Sequence, residues 1–140
     1  AETNIYNTIA TLVDTLGLRD RVYITGFVQD DDRLNALIRE VDVCVYPYNN
    51  VYYGQVSSGA LNLAFANERA VIAYPTDGFR EMNKEFEPIQ LTNTYAYYEL
   101  ARELSRINVA ERVAAGTKYA QAHSWPQTAG EVIEAYRRLV

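Results

Sequence analysis

The sequence predicts an α/β fold, a doubly wound parallel sheet with helices on both faces, and two observations carry that prediction. The apolar runs Asp42-Val43-Cys44-Val45-Tyr46-Pro47 and Ala70-Val71-Ile72-Ala73-Tyr74-Pro75 each read as a buried strand closed by proline. Between them a small-residue turn, Gly54-Gln55-Val56-Ser57-Ser58-Gly59, opens into the helix-forming Ala60-Leu61-Asn62-Leu63-Ala64-Phe65-Ala66. Strand, turn, helix and strand in that order make a βαβ unit, and the crevice of such a sheet lies at the carboxyl ends of its strands.

The remaining elements follow in chain order. Ile5, Ile9, Leu12, Val13 and Leu16 recur at helical spacing, with Gly17 placed to end that helix in a left-handed cap, so residues 3–16 read as a core-facing helix. Val22-Tyr23-Ile24-Thr25-Gly26 reads as a short strand ended by glycine. Asp30-Asp31-Asp32 opens a helix to about Glu40, with Leu34, Leu37 and Ile38 inward. Carboxylates in a first helical turn suit the helix dipole, so the triplet reads as capping and not as a metal site.

Beyond the βαβ unit, 76–82 reads as a turn forming a second wall of the crevice, and Pro88-Ile89-Gln90-Leu91 as a weak strand. Helices are expected over 95–108, with Tyr98, Leu100, Ala101 and Leu104 inward, and over 109–123. Ser124-Trp125-Pro126 breaks the chain before a last amphipathic helix, 127–140, that offers Val132, Ile133, Tyr136 and Leu139. A doubly wound domain normally opens on a strand and this sequence opens on a helix. The expectation is therefore a fragment whose first strand lies upstream of Ala1.

Bulk properties bound the rest. A length of 140 residues suits one domain. No apolar run approaches the roughly 20 residues of a membrane span and no basic-then-apolar leader is present, which leads to the expectation of a soluble, cytoplasmic protein. The lone Cys44 reads as a small core hydrophobe in a reducing compartment. A net charge of −5 with interspersed signs argues against a general nucleic-acid surface. An anionic ligand would have to be held by backbone N–H groups and a few chosen cations.

Five segments in order resemble a known family: Leu16-Gly17-Leu18 through Gly26-Phe27-Val28, then 41–47, Ser58-Gly59-Ala60-Leu61, Ala70-Val71-Ile72-Ala73, and Ser124-Trp125. They are similar to the carboxyl-terminal half of a retaining glycosyltransferase of the GT-B fold, in the family 4 group, over nearly the whole chain. The resemblance implies one Rossmann-like domain over 1–140 that binds a nucleotide-diphosphate sugar, beside an amino-terminal acceptor-binding domain outside this sequence. It implies no cofactor and no divalent metal, and no protein nucleophile. Any peripheral membrane association would run through the other half.

The same resemblance suggests site residues. Phe27 and Val28 match the loop whose backbone meets the nucleobase. Ser57, Ser58 and Gly59 match the helix start beneath the diphosphate, where free N–H groups carry partial positive charge. Equally, Ser57 or Ser58 could be a plain N-cap satisfying those groups. The family's two glutamates, eight residues apart, are missing. Aligning on Ala70–Ala73 puts Gln55 and Leu63 there, and aligning on Gly54 puts Val51 and Gly59 there.

Gln55 could still bond a sugar hydroxyl and Asn62 reach the ribose, and Glu81 is either a ligand or a loop anchor. The family's Arg and Lys for the diphosphate lie upstream, which leaves Arg80 as a local cation or an exposed salt-bridging residue. His123 sits at a structural junction, a poor place for a general base. Tyr46, Tyr48, Tyr52 and Tyr53, with Asn49 and Asn50, form a loop suited either to stacking on a base or sugar or to packing.

Two other functions compete with a donor-binding half of a transferase. One is a non-catalytic module of the same fold, which has shed the paired glutamates and serves as a scaffold or sugar-nucleotide sensor. The other is a nucleotide-sugar epimerase, for which the sequence offers few acid and base groups.

Overall fold

The structure, a computed structural model, describes residues 2–49 and 58–139. Its contacts divide the chain into two compact units, Ala1–Leu34 and Asn35–Val140.

In the first unit, α1 (Glu2–Thr15) ends as the sequence predicts. Gly17 has φ +65°, its N–H donates to the Asp14 carbonyl and that of Leu18 to the Val13 carbonyl, a Schellman closure available to a residue without Cβ. The face of α1 is a correction, because Ile5, Ile9, Leu12 and Leu16 all stand exposed. Val22–Gly26 is a second correction. It forms no strand, and Tyr23 is 82% exposed; an extended segment becomes a strand only where a neighbour completes its ladder. Gly26 does supply the expected turn, with φ +65°. Asp30 caps α2 (Asp31–Arg39), which begins in the first unit and ends in the second, its Oδ1 accepting from the Arg33 N–H at 2.7 Å, and the Leu34, Leu37 and Ile38 side chains are half-buried.

The second unit holds a three-stranded parallel sheet in the order β1-β2-β3: β1 (Val43–Tyr46), β2 (Ala70–Ala73) and β3 (Ile89–Leu91). Val43 pairs with Ala70, Tyr46 with Ala73, and Val71 with Ile89. Every residue of β2 is buried, as its unbroken apolar run predicts for a central parallel strand. By contrast β1, read as buried, is only half-covered, with Val45 exposed, because it lies at one side of the described sheet. The reversal of strand order that defines double winding is not seen among the described strands.

α3 (Gly59–Ala66) crosses from β1 to β2, and α4 (Asp77–Met82) from β2 to β3. Leu61, Ala64 and Phe65 of α3 and Phe79 and Met82 of α4 meet Val71, Ala73 and Ile89 in one core, with Cys44, Tyr46 and Leu91 packed against it. Cys44 thus takes the core place expected of it, and burial pushes its thiol pKa up, away from reactivity. α6 (Val109–Ala122) closes this side of the sheet. Its Gly116 has no room for a side chain, since an added Cβ would lie 2.8 Å from the Phe65 ring.

The turn between α3 and β2 is also a Schellman closure: Glu68 donates to Phe65 and Arg69 to Ala64, with Glu68 at φ +56°. A left-handed conformation costs an L-residue about 1–2 kcal/mol, part of which a glycine would forfeit to its freer unfolded chain. Glu68→Gly is therefore expected to raise the unfolding free energy by about 0.5–1 kcal/mol in a urea titration.

α5 (Tyr97–Leu104) covers the opposite face and corrects the sequence reading most sharply. Tyr98 and Leu104 point outward, while Glu99 and Glu103 are buried. Glu99 accepts from the Asn93 N–H at 3.1 Å and from Arg102 at 2.7 Å, and Glu103 accepts from Gln90 Nε2 at 2.8 Å and from Arg102 Nε at 3.2 Å. Donors on and after β3 thus decide which face of the helix turns in. One guanidinium serves two buried carboxylates, so Arg102→Leu is expected to cost about 2–3 kcal/mol of stability, read as a lower urea midpoint with unchanged m-value.

The break at Ser124–Pro126 is where expected, but Ser124 is already the N-cap and Pro126 lies in the first turn, so α7 (Trp125–Arg137) begins two residues early. Its apolar residues Val132, Ile133 and Tyr136 are exposed, as is Leu139 after it. No helix among the described residues is long and apolar enough to cross a membrane.

Candidate functional site

Both β1 and β2 run toward the start of a helix, so their carboxyl ends share one edge of the sheet. The Tyr74 N–H donates to the Tyr46 carbonyl at 3.3 Å, carrying the pairing of β1 and β2 one residue past the ladder. From the same strand end the Tyr46 phenol donates to the Ala60 carbonyl at 2.8 Å. This bond ties the first turn of α3 to the edge. Burial pushes the Tyr46 pKa well above its ordinary value, which keeps the proton the bond needs.

Ser58 is the N-cap of α3, with extended backbone (φ −104°, ψ 118°), and its side chain makes no capping bond. Its carbonyl accepts from Leu61 and Asn62 at 3.1 and 3.3 Å. The N–H groups of Gly59 and Ala60 have no acceptor among the described residues, and a Cβ built on Gly59 would meet nothing within 4 Å. Among the described residues, a helix of eight residues therefore carries two uncapped amides at the positive end of its dipole. The Ser58 side chain thus does not cap the helix, and Ser57, the other candidate cap, lies outside the described residues. Chemically, the arrangement can accept an anion or a polarised oxygen.

Asn62 lies exposed one turn along α3, and Leu63, which replaces a family glutamate in one register, is half-buried. Gln55 and Ser57, like Asn50, Val51, Tyr52, Tyr53 and Gly54, lie outside the described residues. Phe27 and Val28 belong to the first unit, where Phe27 is 93% exposed and Val28 half-buried. Tyr48 packs, its ring 5.9 Å from Tyr46 and 5.7 Å from the buried Phe79.

The segment expected to be a turn, 76–82, is α4, because Thr76 caps it by accepting from the Phe79 N–H and because Phe79 and Met82 anchor it in the core. Glu81 is exposed and pairs with Lys84 at 2.5 Å. It lines a cleft of about 440 Å³ with Met82, Glu85, Tyr119 and His123, which neither Ser58 nor Gly59 reaches. His123 stacks on Tyr119 at 4.3 Å and lies 3.6 Å from Glu85. Arg80, for which a salt bridge was expected, makes no ion pair among the described residues; its Nε donates to the Pro75 carbonyl at 3.1 Å. Sequence reasoning missed this contact and the Tyr46–Ala60 bond, since both join groups whose meeting depends on the sheet.

The family model described as Glycosyl transferases group 1 matches residues 4–114, a span that includes the parallel sheet, Ser58, Gly59 and Arg80. No curated protein and no solved structure matches significantly. With well over half its length matched, the chain belongs to the group 1 glycosyl transferases.

Proposed function

We propose that residues 1–140 are a Rossmann-like donor-binding domain of a retaining GT-B glycosyltransferase of the family 4 group, and that it binds a nucleoside-diphosphate sugar. The observation that carries this reading is the uncapped start of α3 at the carboxyl edge of a parallel sheet, in a chain of this family. There the Gly59 and Ala60 amides would meet the diphosphate and stabilise the charge that develops on it as the sugar departs. Ser57 and Ser58 flank that contact, and Gln55 and Asn62 are the candidates for sugar and ribose hydroxyls. The family resemblance alone makes Phe27 and Val28, in the first unit, the candidates for the base. Glu81, exposed and paired with Lys84, is a candidate either for a donor ligand or for an anchor of its loop. Transfer itself would need an acceptor-binding partner domain.

Titration calorimetry of the protein with UDP, GDP and ADP, each against its nucleoside, tests the reading. Two charge-assisted amide bonds at about 1.5 kcal/mol each make the diphosphate roughly 100-fold tighter than the nucleoside. Equal affinity, or no binding by any diphosphate, overturns it. The absence of both family glutamates supports a second reading, a non-catalytic module that binds the sugar nucleotide without turning it over. Release of free sugar from any donor would exclude that reading.

A further inference from the structure

We propose that Arg80 is this chain's own cation for the donor diphosphate, aimed by the Pro75 carbonyl and Tyr95; the inference rests on the donor reading above. The family resemblance assigns the diphosphate cations to residues upstream and gives this position no role. Three observations place Arg80 there.

The first is direction. Pro75 follows Tyr74, the residue that prolongs the β1–β2 pairing, and α4 begins two residues later. Side chains on a helix tilt toward its amino terminus, so Arg80, in the last turn of this short helix, folds back toward the carboxyl edge of the sheet. Its Nε bond to the Pro75 carbonyl fixes it there.

The second is that the carbonyl is shared. The Tyr95 phenol donates to the same oxygen at 3.1 Å, and Tyr95 packs edge-on to Tyr74 at 5.6 Å. With both acceptor directions of Pro75 in use, the guanidinium is held on one side of the oxygen and the phenol on the other.

The third is what remains unused. With Nε occupied, both terminal nitrogens keep their donors among the described residues, the fork that matches two phosphate oxygens. Arg80 is exposed, and no carboxylate pairs with it among the described residues, although Asp77 bears electrostatically on Tyr95 close by. In a chain of net charge −5, a guanidinium steered by a neutral carbonyl and without a paired carboxylate among the described residues is available to an anion. The start of α3 hangs from the same strand ends, through Tyr46.

The test is calorimetry with UDP, GDP and ADP and their nucleosides on the wild-type chain and on Arg80→Gln, Arg80→Lys and Tyr95→Phe. For the diphosphate that binds, Arg80→Gln should lose about 10-fold in affinity and Arg80→Lys about 3-fold, with the nucleoside unchanged in both. Tyr95→Phe, a positioning change, should lose about 3-fold for the diphosphate alone. Diphosphate affinity in Arg80→Gln equal to wild type overturns the role of Arg80 and leaves the donor reading intact. Equal loss for diphosphate and nucleoside also overturns it, since it would mark a damaged fold. A wild-type chain that binds no diphosphate removes the donor reading first.

Discussion

Gly59→Trp is expected to reduce affinity for nucleoside diphosphates by at least about 100-fold while leaving the fold intact. The size follows from what the indole would cover: two amides, each contributing about 1.5 kcal/mol to a phosphate. The fold should tolerate the change because Gly59 is not in the left-handed region and its missing Cβ faces open space. Calorimetry with UDP, GDP and ADP, beside a thermal melt within about 2 °C of wild type, separates lost contact from lost structure. Undiminished binding would show that the anion, if bound at all, sits elsewhere.

Phe65→Ala is expected to lower the unfolding free energy by about 3–5 kcal/mol, the usual cost of emptying a buried aromatic site. Phe65 lies in the core cluster, its ring 5.5 Å from that of Tyr119 and directly over Gly116. Removing it leaves a void bounded by α6 that the sheet cannot collapse to fill. Urea denaturation reads the loss. The neighbouring glycine supplies an internal control. Gly116→Ala should cost about 1–3 kcal/mol alone, through overpacking, and much less in a Phe65→Leu background, where the ring edge is gone. Additive costs would show that ring and glycine do not touch as described.

The parts of the fold that were legible in the sequence are those set by local pattern. β2 is a continuous apolar run and is buried throughout, α3 starts at Gly59 as the Ser-Gly turn announces, and Gly17 closes α1 by the backbone freedom that only glycine has in full. What pattern could not see was the neighbour across the fold. Val22–Gly26 has strand composition but no ladder. α5 has a good apolar stripe, yet the donors at Gln90 and Asn93 draw its glutamates inward. At the site, Ser58 and Gly59 were readable because a helix start is a local event. Arg80 and Tyr95 become intelligible only once β2 brings Pro75 to the sheet edge between them.

The apolar residues of α1 and α7 that face water have a practical consequence. Ile5, Ile9, Leu12 and Leu16 in the first unit, and Val132, Ile133, Tyr136 and Leu139 in the second, give the chain two greasy strips. Prepared by itself, such a protein should brighten apolar dyes such as ANS in the native state, and do so without unfolding. Handling it will be a matter of keeping those strips from finding one another at high concentration.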